Sequence, residues 1–240
     1  MSGLPARVLV TGGGTGIGRA ISTGLIQQGV EVIICGRRKD ILQETARAIG
    51  ATPVVADITN DPTSLVETVG PFDGLVHNAG CHVHQPIGEW TPHDWQQMWD
   101  VHVSGPAMLS QAFAKQCTGP GAIVAISSTL AVKTTAGAAA YSAAKAGMLS
   151  LIRSLSVELA EKRIRANAVL PGLVPTEMTR TPRGNQTTEE WQKILTGLHP
   201  LGRLGTPNEV AQAVILLLEN AWITGSALTV DGGLLIGEQS

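Results

Sequence analysis

The chain has 240 residues, 43% of them apolar and 15% charged, enough to bury a large core within a single domain. A formal net charge of −2 and a pI near 6.3 give no basic footprint for nucleic acid or an anionic membrane surface. Three scattered cysteines (Cys35, Cys81, Cys117) without a CxxC pair argue against a disulfide framework and a zinc ribbon, and with no visible secretory signal they point to a cytoplasmic protein.

Short β-branched runs alternate with helical patterns along almost the whole chain, the signature of βαβ units and a parallel sheet. The first strand, Val8–Thr11, runs into TGGGTGIGRA, so Gly12, Gly16 and Gly18 fall at a strand-to-helix turn. Backbone without Cβ lets a pyrophosphate approach, and the amides of a helix N-terminus favour its charge. A dinucleotide is the natural ligand. The second strand, Val30–Cys35, leads into Gly36-Arg37-Arg38-Lys39-Asp40, where an acid for the ribose 2′-hydroxyl is expected. Two guanidinium groups instead suit a 2′-phosphate, favouring NADP over NAD, the alternative being an exposed basic turn. Asp57 closes the third strand, Pro53–Ala56, where it either accepts from an adenine amino group or is a polar loop residue.

Asp61-Pro62 and Thr91-Pro92 each place a capping side chain before a proline that opens a helix. Between them lies the fourth strand, Gly74–His77, followed by Asn78-Ala79-Gly80 and then Cys81-His82-Val83-His84. The last four have no second cluster at ligand spacing, so they are read as a wall of a substrate pocket and not as a metal site. Trp95 and Trp99 are expected to be core contacts of the next helix. The longest apolar run, Ala213 to Leu218, is too short to span a bilayer.

The fifth strand, Ala122–Ser127, presents Ser127-Ser128 at the carboxyl edge of the sheet, where ligands of open α/β sheets bind. The single tyrosine, Tyr141, precedes Lys145 by four residues, which puts both on one helix face. A neighbouring ammonium favours the phenolate, making Tyr141 a proton shuttle while a serine hydroxyl bonds the substrate oxygen. The remaining strands are Arg165–Leu170 and Ala227–Val230, separated by an aperiodic excursion around 177–206 that covers the site. With few aromatic residues, the pocket hints at aliphatic or acyl substrates.

TGGGTGIG, the NAG at 78–80, Ser128 thirteen residues before Tyr141, YSAAK, the PG of NAVLPGLVPTEM and the closing VDGG together resemble the short-chain dehydrogenase/reductase family, from first strand to last. The resemblance implies one Rossmann-type α/β domain over residues 1–240: a doubly wound, seven-stranded parallel sheet with helices on both faces, assembled as a homotetramer or dimer. It implies Ser128 as catalytic serine, Tyr141 as acid/base, and Lys145 as the residue that binds the nicotinamide ribose. The cofactor would be bound by Gly12, Gly14, Thr15, Gly16, Ile17, Gly18, Arg37, Arg38, Asp57, Ile58, Asn78, Ala79, Gly80, Tyr141, Lys145, Pro171, Gly172, Val174 and Thr176. The chain departs from the family at His102, in Val101-His102-Val103-Ser104-Gly105, where the family carries an asparagine of its catalytic tetrad. Either the imidazole joins a proton relay, or His102 is a core residue whose backbone carbonyl does the work.

The expected activity is that of an NADP(H)-dependent oxidoreductase interconverting a small-molecule ketone or aldehyde, 3-oxoacyl compounds among the candidates, and an alcohol. An NAD-linked alcohol dehydrogenase and a catalytically weakened dinucleotide sensor are the alternatives.

Overall fold

The computed structural model describes residues 3–177 and 188–237. Seven strands form one parallel sheet: β1 (Arg7–Thr11), β2 (Glu31–Gly36), β3 (Thr52–Val55), β4 (Gly74–His77), β5 (Gly121–Ile126), β6 (Ile164–Pro171) and β7 (Ala227–Val230). Their order is β3-β2-β1-β4-β5-β6-β7, so the winding reverses between β1 and β4. A crevice opens at the carboxyl ends of strands where such a reversal occurs.

Alternation along the strands assigns the two faces. Val8 and Val10 of β1 belong to one core, packed against α1 (Gly16–Gln27), α2 (Lys39–Ile49) and α8 (Pro207–Glu219). Leu9 faces the other core, shared with α3 (Pro62–Val69), α5 (Gly105–Gln116) and α6 (Ala139–Glu158). Since each fully buried aliphatic side chain contributes about 1.5–3 kcal/mol, slipping a central strand by one residue would forfeit both faces at once.

The proline-led helix starts form as the sequence predicts, with Asp61 accepting from the Ser64 amide and Thr91 from that of Asp94. A third such start, Thr206-Pro207, closes a capping box with Glu209. None of the helices among the described residues is long and apolar enough to cross a membrane.

Three expectations change. The helix after Thr91 is interrupted: α4 (Pro92–Trp99) passes through a π-helical turn at Asp100–Ser104 before α5 begins. Pro106 has no N–H, so it cannot donate to the carbonyl of His102 as a regular α-helix would require. Trp95 and Trp99 are not core residues but remain more than a third exposed; the fully buried residue of α4 is Met98. Finally, the excursion contains a helix, α7 (Thr188–Gly197), which its irregular polarity hid from the sequence reading. The part of that excursion at 178–187 lies outside the described residues.

Candidate active site

A cavity of about 640 Å³ opens at the carboxyl edge of the sheet, at the point where the winding reverses. Its floor is the glycine turn. Gly12 and Gly16 have φ of +64° and +52°, values that suit glycine. Gly18 lies behind the floor and not in the wall, because a β-carbon there would strike the Gly12 carbonyl and the Asn78 amide. The turn is held by its neighbours. Asn78 Nδ2 donates to the carbonyls of Thr11 and Gly12 at 3.0 and 3.1 Å, while Thr11 Oγ1 accepts from the amides of Asn78 and Ala79. Asn78 is thus a brace for the turn as well as part of the wall.

At one end, Arg37 and Arg38 both reach the cavity and remain largely exposed. Arg37 Nη1 stands 3.7 Å from Asp57 Oδ2, and Arg38 Nη1 stands 2.9 Å from Glu177 Oε2. Arg38 also donates to Thr15 Oγ1, tying this basic pair to the glycine turn. Although partial burial works against it, Asp57 is held below the usual carboxylate range by hydrogen bonds from Thr59 and by Arg37. Asp57 sits two residues past the end of β3 instead of closing it.

At the other end stand Ser128, Tyr141 and Lys145. Ser128 follows β5, and its Oγ accepts from the Leu130 amide at 3.1 Å, which leaves the hydroxyl proton available to another acceptor. Tyr141 and Lys145 lie in the first turns of α6, the ammonium 5.6 Å from the centre of the phenol ring, as the i, i+4 spacing predicts. Lys145 Nζ donates to the Ile126 carbonyl at 2.7 Å. The electrostatics differ from the expectation. Burial pushes the phenol up to about 12, only partly opposed by a hydrogen bond with Ser128. Burial also brings the lysine down to about 7. Desolvation therefore dominates at Tyr141 and favours the protonated phenol.

His102 is completely buried in the π turn, its ring edge-on to Tyr141 at 5.3 Å between centres. Its Nε2 lies 2.8 Å from the Cys81 carbonyl, which can only accept, so Nε2 carries the proton. Burial, reinforced by Lys145, keeps the imidazole neutral by lowering its pKa well below the ordinary value. Titration near neutrality, the property that made a histidine relay attractive, is removed by this environment.

Twenty of the twenty-one predicted site residues line this cavity, from Gly12, Gly14, Thr15, Gly16 and Ile17 through Ile58, Ala79 and Gly80 to Pro171, Gly172, Val174 and Thr176; Gly18 is the exception. The closing VDGG has a structural part here: Asp231 accepts from the amides of Gly233 and Leu235, and Val230 accepts from that of Gly172. Sequence reasoning placed no individual role on Cys81, His82 or Glu177, which also form wall. Among the described residues no three His, Cys, Asp or Glu side chains gather as a metal site.

The family described as enoyl-(acyl carrier protein) reductase matches residues 12–235. The chain is 32% identical to 2-(S)-hydroxypropyl-CoM dehydrogenase 3 of Xanthobacter autotrophicus, with 95% of each chain covered. It is 33% identical to 3-oxoacyl-[acyl-carrier-protein] reductase of Mus musculus, over 94% of this chain and 96% of that one. The chain belongs to the short-chain dehydrogenase/reductase family. Among solved structures, an actinorhodin polyketide ketoreductase variant crystallised with NADPH superposes with a TM-score of 0.90 at 31% identity, covering 96% of this chain and 97% of that one. As a member of the family, the protein is an NAD(P)-dependent oxidoreductase acting on carbonyl and alcohol groups.

Proposed function

We propose that this enzyme prefers NADPH and reduces ketones of the 3-oxoacyl type, with Ser128, Tyr141 and Lys145 as its catalytic residues. The observation that carries the reading is the convergence of those three side chains, the glycine turn and the Arg37-Arg38 pair on one cavity. The cofactor fits the residues present: positive-φ glycines admit a pyrophosphate, and two guanidinium groups stand where a 2′-phosphate would lie. When bound, the dinucleotide supplies the hydride for the carbonyl carbon.

The chain's own residues manage the oxygen. Ser128 keeps its proton free to donate to the substrate oxygen, stabilising the charge that develops there. Tyr141 then gives its proton to that oxygen, and the high pKa that burial imposes keeps the proton on the phenol until it is needed. This state of Tyr141 suits reduction better than oxidation. Lys145, anchored on the Ile126 carbonyl beside the phenol ring, would bind the nicotinamide ribose. His102 acts as a positioning residue, fixing the Cys81 carbonyl beneath the site. The 3-oxoacyl assignment draws on the mouse relative, whose name gives that substrate.

The same reading takes residues 1–240 as a single domain working as a homotetramer or dimer in the cytoplasm. The exposed Trp222, Ile236 and Val157 support association of copies, and three free cysteines suit a reducing compartment. Light scattering on the purified protein checks the assembly.

Tyr141→Phe tests the catalytic reading. Turnover of acetoacetyl-CoA with NADPH should fall by at least about 10²-fold, the contribution of a positioned acid, while NADPH binding followed by fluorescence persists. Activity near wild type would remove Tyr141 from the mechanism.

A further inference from the structure

A second cavity, of about 260 Å³, adjoins the first, and Gly172 and Val174 line both. The strip that follows β6 is therefore a partition between two spaces. Val174 is anchored in the core that includes α8, but Gly172 has no side chain to pack and Leu173 is only partly buried. Backbone hydrogen bonds locate this part of the wall. The Gly172 amide donates to the Val230 carbonyl at 2.9 Å, the Gly205 amide to the Leu173 carbonyl at 3.0 Å, and the Leu173 amide to His199 Nε2 at 3.3 Å. Of these three bonds, one is made by a side chain.

His199 is buried two residues past the end of α7, and its ring is held from the other side as well. Its Nδ1 lies 2.8 Å from the carbonyl of Leu195, in the last turn of that helix. A carbonyl only accepts and an amide only donates, so Nδ1 carries the proton and Nε2 is the bare acceptor. One tautomer of the neutral ring satisfies both partners. The surrounding backbone is fixed too: the Gly202 amide donates to the His199 carbonyl at 2.8 Å, and the Leu201 amide to the Gly232 carbonyl at 3.1 Å. The charged groups of the second cavity have their own partners, Arg203 pairing with Glu209 and Asp231 accepting from the amides of Gly233 and Leu235.

We propose that His199 is a positioning residue for the dinucleotide. By accepting from the Leu173 amide it sets how far the 172–174 strip stands into the cofactor cavity, and through Leu195 it ties that wall to α7. Groups that bind a ligand are effective only where a second layer holds them within about 0.5 Å of the productive geometry. The inference rests on the reading that the first cavity takes NADPH, and it adds a residue that lines the second cavity instead.

Two variants separate the two bonds of the ring. His199→Gln keeps an acceptor where Nε2 stands, whereas His199→Asn keeps a donor where Nδ1 stands and is too short to reach Leu173. Fluorescence titration should show NADPH binding about tenfold weaker in His199→Asn and within about threefold of wild type in His199→Gln, as expected for one hydrogen bond. The urea midpoint should fall comparably in both, because each variant gives up one bond. A merely structural role would then weaken NADPH equally in the two. Equal weakening, the reverse order, or no weakening in either variant overturns the proposal. Should His199→Asn not fold, hydrogen exchange in the wild-type protein decides: NADPH should slow exchange at 195–202 as well as at 171–177, and protection confined to 171–177 overturns the proposal. If the wild-type protein binds neither NADPH nor NADH, the underlying reading fails, and the inference with it.

Discussion

His102 donates from Nε2 to the Cys81 carbonyl at 2.8 Å, and its Nδ1 is buried without a hydrogen-bond partner in the protein. An imidazole in that state is a fixed neutral donor with an unused acceptor. Burial has taken away its ability to titrate in the range where the enzyme works.

His102→Asn therefore changes little. An amide can still donate toward the Cys81 carbonyl, so kcat should move by less than about tenfold. The pH–rate profiles of the two proteins should superimpose between pH 5.5 and 8, since no imidazole limb exists to be lost. His102→Leu is the harsher variant. It leaves the Cys81 carbonyl without its donor, which costs about 1–3 kcal/mol of stability, read as a lower denaturation midpoint. Loss of one limb in His102→Asn would restore the histidine relay.

The basic pair Arg37-Arg38 at the cavity rim leads to a prediction about cofactor choice. Arg38 is already bonded to Glu177 and Thr15, whereas Arg37 stands 3.7 Å from Asp57 and is the more exposed of the two. Arg37 is thus freer to turn toward a 2′-phosphate. Arg37→Ala should lower the NADPH:NADH ratio of kcat/KM by about tenfold or more, the loss of a charge-assisted bond worth roughly 1.5–3 kcal/mol. Arg38→Ala should lower it less and should also loosen the glycine turn. If neither variant shifts the ratio, both arginines are surface charges and the enzyme makes no use of the phosphate.

The strands and the residues of the cavity wall were legible in the chain because each rests on local signals. Alternating Val8, Leu9 and Val10, the glycines at 12 and 16, and Ser128 all report through spacing along one segment. What escaped depends on distant contacts. Tyr141 and Lys145 were correctly paired, yet their pKa values follow from desolvation by neighbouring elements, which no i, i+4 rule contains. Trp95 and Trp99 have core spacing, but α4 turns Met98 inward. The π turn had a trace in Pro106, four residues after His102. The approach of His82 to Tyr141 had none, because it joins the loop after β4 to α6.

Gly137 marks that junction. It has a φ of +76°, and a β-carbon there would run into the His84 ring. Gly137→Ala should cost about 1–2 kcal/mol from the left-handed backbone and push His84 off the Ala136 carbonyl. KM for the carbonyl substrate should rise several-fold as the 81–85 loop shifts, with NADPH affinity retained. Equal weakening of substrate and NADPH would place the damage in the fold and not in the loop.

Lys145 is buried, and its stability contribution has a definite sign. Its folded-state pKa is brought down to about 7 from an ordinary 10.5, so the unfolded chain holds this proton more tightly than the folded protein does between those values. Stability is therefore complete above pH 10.5, declines as pH falls toward 7, and loses nothing further below that. The slope for a single such group is at most about 1.4 kcal/mol per pH unit. Lys145→Met has no proton to bind and should escape the decline, although the Ile126 carbonyl loses a donor, at a cost of about 0.5–1.5 kcal/mol that is independent of pH. Relative to wild type, the urea midpoint of the variant should thus be higher at pH 7.5 than at pH 9.5, while turnover is lost at both. A midpoint difference that stays constant across that range would mean the ammonium is solvated in the folded state, and would withdraw the desolvated lysine.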